Sequence, residues 1–196
     1  KYGFRTGVYS NSGSREFDMA REKSLERVLR SGGYATAIAG KWGIIGSPAV
    51  MGFDESCLWA VKKGARSYQQ AMPLPDDAEY GGPTNSAGVT SRYWHPALLE
   101  NGEFRATGPN DFGPDLFREF LLDFMRRQRE KPFFAFYSMC LPHGETALGD
   151  EESACVPVPA AGEPGGRRDG GFVAMKEYVD FEVGRLRIVL VERPRL

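Results

Sequence analysis

The sequence predicts an α/β fold. Three observations carry this expectation: a capped helix that turns through Gly32-Gly33 into a small-residue strand over 34–39, a nearly uninterrupted apolar strand over 133–140, and two amphipathic helices over about 114–129 and 172–190. Helix, Gly-Gly turn and strand in succession describe an α/β layer. An apolar run that does not alternate fits a central strand covered on both faces. The chain has 196 residues, the size of one domain, and is 41% hydrophobic and 26% charged, which excludes a disordered or fibrous chain. The net charge of -1 gives no global field for nucleic acid or a membrane surface. No apolar run approaches the ~20 residues of a membrane helix.

Residues 1–23 are rich in Gly, Ser and Arg and have no sustained period. Ser24 can cap the helix that follows, in which Leu25, Val28 and Leu29 fall at i, i+3 and i+4. Gly32-Gly33 ends it, because glycine tolerates the left-handed conformation at a helix end. The strand Tyr34 to Ala39 then leads straight into Gly40-Lys41-Trp42-Gly43. Residues 44–95 show no clear period and many turn residues, and they read as a long irregular excursion over one face. Residues 96–107, with Ala97 to Glu100, Asn101-Gly102 at the centre and Glu103 to Thr107, read as a β-hairpin, since both turn residues accept positive φ.

The clearest helix carries Leu116, Phe117, Phe120, Leu121, Phe124 and Met125 on one wide stripe, with Pro114 and Asp115 at its start. Arg126, Arg127 and Arg129 near its end read as a solvated helix terminus rather than a nucleic-acid patch. Pro132 stops the helix, and the strand of residues 133–140 delivers Leu141-Pro142-His143-Gly144. Residues 144–170 form a flexible loop rich in Gly, Pro and acids. In the last helix, Phe172, Met175, Val179, Val183, Leu186 and Leu190 define the expected apolar face. The chain therefore reads as one domain.

Standard sites are absent: there is no phosphate loop, no HExxH and no Gly-x-Ser-x-Gly elbow. Two histidines exclude a poly-histidine metal site, and His95, within Trp94-His95-Pro96, reads as structural. Cys57, Cys140 and Cys155 are too few and too widely spaced for a disulfide framework or a zinc site, and read as buried or incidental thiols. Two residues stand out by position. Lys41 follows the first strand and His143 the second, and the carboxyl ends of strands are where open α/β sheets bind ligands. A lysine there can hold an anion or stabilise a leaving oxygen, and a histidine can donate a proton or hydrogen bond to the same group. A snorkelling lysine and a turn histidine are the alternative.

At these residues the chain resembles the sulfatase family. Gly33-Tyr34-Ala35-Thr36 with Gly40-Lys41-Trp42 is similar to that family's "GY-x-T…GKW" segment, and Met51-Gly52-Phe53-Asp54 to its "GFD". Lys131-Pro132-Phe133-Phe134 through Pro142-His143 resembles "KPFF…PH", and Tyr178 to Gly184 resembles its "Y-x-D-x-x-VG" helix. Arg5-Thr6-Gly7-Val8-Tyr9 resembles the segment just after the nucleophile motif, and Asn101-Gly102 falls where these enzymes have a substrate-side hairpin. The matches run in family order over most of the chain. The resemblance implies an alkaline-phosphatase-like sheet flanked by helices, here incomplete, and hydrolysis of a sulfate ester on a small molecule or glycan. It implies a formylglycine nucleophile and a divalent cation, usually Ca2+. It gives Lys41 a sulfate contact and His143 a place near the leaving oxygen. No Cys or Ser lies in a C/S-x-P-S-R motif, Gly43 stands where many relatives have histidine, and the two pairs of metal ligands are not found. The chain thus reads as a central piece of a sulfatase, expected to be inactive alone. A phosphodiesterase or phosphonate hydrolase of the same superfamily is one alternative, and a non-catalytic remnant or binding module is another.

Overall fold

The structure is a computed structural model that describes residues 22–43, 46–65, 71–143, 156–157, 167–168 and 171–191. The irregular start up to residue 21, with Arg5 to Tyr9, lies outside the described residues, as do Cys155 and residues 192–196. The described elements are α1 (Leu25–Ser31), β1 (Ala35–Gly40), α2 (Pro48–Met51), β2 (Glu55–Val61), β3 (Met72–Pro73), β4 (Leu98–Glu100), β5 (Glu103–Arg105), α3 (Gly113–Arg127), β6 (Phe133–Ser138), β7 (Val156–Pro157), β8 (Arg167–Arg168) and α4 (Gly171–Val191). Six strands form one mixed sheet in the order β5-β4-β2-β1-β6, with β3 alongside β2. β1, β2 and β6 run parallel, and β4 and β5 form an antiparallel margin. The β7–β8 ladder lies inside the loop expected over 144–170, whose remaining residues lie outside the described ones.

Local chemistry explains the first layer. Ser24 Oγ accepts from the Arg27 amide at 3.3 Å and so caps α1. Gly33, at φ +84°, turns the chain into β1. The "GY-x-T" and "GFD" segments turn out to hold β1 against the chain entering β2. The Thr36 amide donates to Asp54 Oδ2 at 3.0 Å, the Asp54 amide donates to Thr36 Oγ1 at 3.0 Å, and Arg30 pairs with Asp54 at 2.9 Å. These motif residues secure register rather than perform chemistry.

Three clusters of unequal size cover the sheet, the third being Ala60, Leu74, Ala97 and Leu99 over β2 and β4. On one face, Ala37, Ala39, Cys57, Trp59 and Val61 meet the α3 stripe of Phe117, Phe120, Leu121, Phe124 and Met125, and α4 joins through Ala174, Met175 and Tyr178. Full burial of Phe117 or Phe124 stabilises by about 2–3 kcal/mol relative to exposure. On the other face a thin cluster of Ile38, Trp42, Met51, Phe53 and Leu58 receives Phe134.

Three expectations are corrected here. Residues 44–95 are not a continuous excursion, because they contain α2 and the central strand β2. β6 is not central: it pairs only with β1 among the described residues, and Phe136 is 46% exposed. Phe133 packs edge-on against Phe124 on the helix-covered side, whereas Phe134 and Phe136 stack on the thinly covered side. The buried face of α4 is Ala174, Met175, Tyr178 and Glu182, while Phe172 and Val183 point to solvent. Its inward face combines apolar packing of Ala174 and Met175 with hydrogen bonds from Tyr178 and to Glu182 across to α3. The apolar side of α1 is likewise uncovered, with Leu25 and Val28 exposed.

Candidate functional site

The carboxyl ends of the parallel strands form the candidate site. β1 and β6 are direct neighbours in register, from Ala35 opposite Phe133 to Gly40 opposite Ser138. Lys41 therefore leaves the sheet beside the end of β6, and its amide donates to the Ser138 carbonyl at 2.8 Å. Gly40 is needed for this approach. Its φ is +105°, and a Cβ would lie 2.1 Å from the Ser138 oxygen. Trp42 then turns back under the sheet, where its indole donates to the Gly46 carbonyl at 2.7 Å and its ring meets Phe53 edge-on.

The second expected residue leaves from β6. Cys140 and Leu141 are buried, and the exposed His143 follows. The Cys140 carbonyl accepts from Tyr93 Oη at 3.0 Å, which fixes the exit of this segment. Burial pushes the Cys140 thiol up to about 11, with the positive charges of Arg92 and Lys41 pulling the other way. Lys41 is half-buried and close enough to Cys140 to act on its thiol, and His143 lies three residues further along. The structure thus puts both expected residues on adjoining strand ends, with Lys41 the better fixed of the two.

The other sequence-derived candidates fall elsewhere. His95 is structural: it has φ +47°, its carbonyl accepts from Tyr80 Oη at 2.8 Å, and its ring meets Tyr80 edge-on. Burial pushes the Cys57 thiol up to about 12, and neither Cys57 nor Cys140 is in a disulfide. Arg127 pairs with Glu55 and Asp123, and Arg129 with Glu130, as a solvated helix end requires. The hairpin at Asn101-Gly102 forms as expected, with φ of +53° and +90°. Its turn, however, packs at the amino end of β2, where the Ser56 amide donates to Asn101 Oδ1 at 2.8 Å. Asn101 and Gly102 there line a groove of about 170 Å³ with Ser47, Phe53 and Met72, on the side away from the carboxyl ends.

Calcium was expected from the resemblance alone. Among the described residues no group of three or more His, Cys, Asp or Glu side chains is placed to hold a metal ion, so these residues do not fit the cation. One residue that sequence reading passed over, Arg92, lies at this end of the sheet. It is buried, with its guanidinium over the Trp59 and Tyr93 rings. The only signal in the sequence was its setting, Ser91-Arg92-Tyr93-Trp94, a cation among aromatics.

No family model matches the chain. Among solved structures it is similar to Ps i-CgsB, at 18% identity and a TM-score of 0.60, over 98% of this chain and 42% of that one. The same values hold for Ps i-CgsB in complex with k-i-k-neocarrahexaose. The fold is sulfatase-like. A complex of BT4656 with its substrate D-glucosamine-2-N,6-O-disulfate matches 73% of this chain and 23% of that one, at 23% identity and a TM-score of 0.48. The chain with this sulfatase-like fold spans less than half the length of Ps i-CgsB.

Proposed function

We propose that this chain is the part of a sulfuric ester hydrolase that carries the sulfate-binding lysine and the leaving-group histidine, with a sulfated sugar as substrate. The supporting observation is the exit of Lys41 and the His143 segment from adjacent parallel strands, in a fold shared with a protein that binds a carrageenan oligosaccharide. The Lys41 ammonium would neutralise charge on a non-bridging sulfate oxygen, and that charge grows as the S–O bond to the leaving group breaks. His143, in its protonated form, would transfer its proton to the departing oxygen. Neither residue supplies a nucleophile, and no step here runs through calcium. Loss of a nucleophile costs several orders of magnitude in rate, and the parts of such a site are strongly non-additive.

The reading is tested by binding and by turnover. Glucosamine 6-sulfate should titrate the chain and unsulfated glucosamine should not, and Lys41→Ala with His143→Ala should abolish the difference. Equal responses to the two sugars would sink the reading. Residues 1–196 with calcium should not hydrolyse a chromogenic aryl sulfate. Turnover that disappears in the double variant would show that the chain is a complete enzyme rather than part of one.

A further inference from the structure

Arg92 is 4% exposed, yet its guanidinium makes no hydrogen bond or ion pair with any described residue. It stands 5.3 Å from the centroid of the Trp59 ring and 5.4 Å from that of Tyr93. Stacking on two ring faces holds the plane of the guanidinium but satisfies none of the donors at its edge. The planar fork of donors is therefore held in place on its faces, with no acceptor at its edge among the described residues.

The location of the guanidinium points to what completes it. Trp59 is one residue past Leu58, the register partner of Gly40, and Lys41 is one residue past Gly40. Trp59, on whose ring Arg92 stacks, is therefore level with Lys41 in the chain register. Cys140, whose thiol feels both Lys41 and Arg92, belongs to the same cluster as Trp59, Ala37 and Ala39. Tyr93, which stacks on Arg92, hydrogen-bonds the Cys140 carbonyl, and both positive charges bear on the Cys140 thiol.

We propose that Arg92 is a second anion-binding residue, which grips with its fork the same sulfate group that Lys41 contacts as a point charge. The proposal rests on the reading of Lys41 as a sulfate ligand and adds the residue that orients the group. A guanidinium matches two oxygens of a tetrahedral anion at once, so it fixes orientation as well as affinity. Aromatic stacking keeps the fork in place before the ligand arrives, which reduces the ordering cost of binding.

The test is calorimetric titration of the 196-residue chain with sodium sulfate at constant ionic strength, with thermal unfolding in the absence of sulfate as the second readout. Arg92→Met should weaken sulfate binding by about tenfold or more, the scale of one charged bidentate contact. Its unfolding midpoint without sulfate should stay close to that of the parent, because Arg92 has no hydrogen bond or ion pair to lose among the described residues and Met can still pack on the two rings. Arg92→Lys keeps the charge without the fork, and should also bind sulfate more weakly. Parental affinity in Arg92→Met, with loss in Lys41→Ala, would overturn the role of Arg92 and leave the lysine site standing. Parental affinity in both would overturn the lysine site as well. If Arg92→Met does not fold, parental affinity in Arg92→Lys overturns the proposal, and loss supports it.

Discussion

Two arginines in this protein are almost equally buried, Arg118 at 7% exposure and Arg92 at 4%, and they are treated in opposite ways. Arg118 lies between α3 and α4 and meets three carboxylates: Asp115 at 2.8 Å, Glu119 at 2.9 Å, and the fully buried Glu182. Tyr178 Oη adds a hydrogen bond to Asp115 at 2.6 Å. Arg92 meets two aromatic faces and pairs with no acid among the described residues. The sequence contains acids enough to have paired it. A buried cation with its counter-charges built in holds helices together, whereas one without them is left ready for an anion from outside. The contrast separates the structural region of the molecule from its candidate site without reference to any motif.

The largest expected effect lies on the helix side. Arg118→Ala removes hydrogen bonds to three carboxyl groups and leaves Asp115 and the buried Glu182 without the donor that both accept from. Loss of one partner from such a network should cost about 4 kcal/mol in urea unfolding. If Arg92→Met, without sulfate, costs as much as Arg118→Ala, the contrast between the two sites fails.

Gly40→Ala comes next, at about 3 kcal/mol, because it combines a strained positive φ with a Cβ driven into the Ser138 carbonyl. This substitution sharpens the comparison by acting on the strand ends alone. Sulfate affinity should fall with it, while the Arg118 network stays intact. A stable Gly40→Ala chain with undiminished sulfate binding would show that the close approach of β1 and β6 does not set the position of Lys41.

Much of this layout was legible in the sequence. The caps, the Asn-Gly hairpin and the α3 stripe follow from local rules, and local rules suffice where each residue's partner is near in sequence. β2 escaped notice because Cys57-Leu58-Trp59-Ala60-Val61 is buried on both faces and does not alternate, and it is embedded among turn residues. The similar apolar run of β6 was recognised but given the wrong neighbours. An apolar strand needs two apolar surroundings, yet its composition cannot say whether one chain supplies both. Apolar spacing alone does not give the phase of α4, because Tyr178 and Glu182 share its buried face with Ala174 and Met175 and point inward to Asp115 and Arg118, while Phe172 and Val183 point out. Lys41 and His143 could be proposed from strand ends, but Arg92 could not, since it reaches the site from an irregular segment by long-range packing.

A third prediction concerns pH and belongs to the helix side alone. Burial raises the Glu182 carboxyl to about 9, helped by neighbouring Asp115 and opposed by Arg118. Tyr178 on its own helix and Tyr137 of β6 are the other titratable groups close to it. Folded Glu182 therefore keeps a proton that the unfolded chain has released. The linkage sign follows: between about pH 4.5 and about pH 9 the native state binds more protons, so stability falls as pH rises. The slope approaches about 1.4 kcal/mol per pH unit for one full proton. Glu182→Gln should flatten this slope, as read from urea midpoints across that range. An unchanged slope would place the titration elsewhere.

The smallest effect belongs to a third arginine that completes the series. Arg127 forms two hydrogen bonds to Glu55, at 2.6 and 2.9 Å, and a third to Asp123, a better-looking set of contacts than Arg92 possesses. Its side chain is nevertheless 45% exposed, so water competes for every one of those bonds and salt screens them. Arg127→Ala should cost no more than about 1 kcal/mol, and less at high ionic strength. It should leave sulfate affinity unchanged, since Glu55 marks the amino end of β2 and lies away from Lys41. Short contact distances thus predict little by themselves. What ranks the three arginines is whether the charge has left water and what meets it there. Urea midpoints of Arg127→Ala at low and high salt, set beside those of Arg118→Ala, measure that ranking. A cost for Arg127→Ala that matched Arg118→Ala and ignored salt would show that burial is not the variable that separates them.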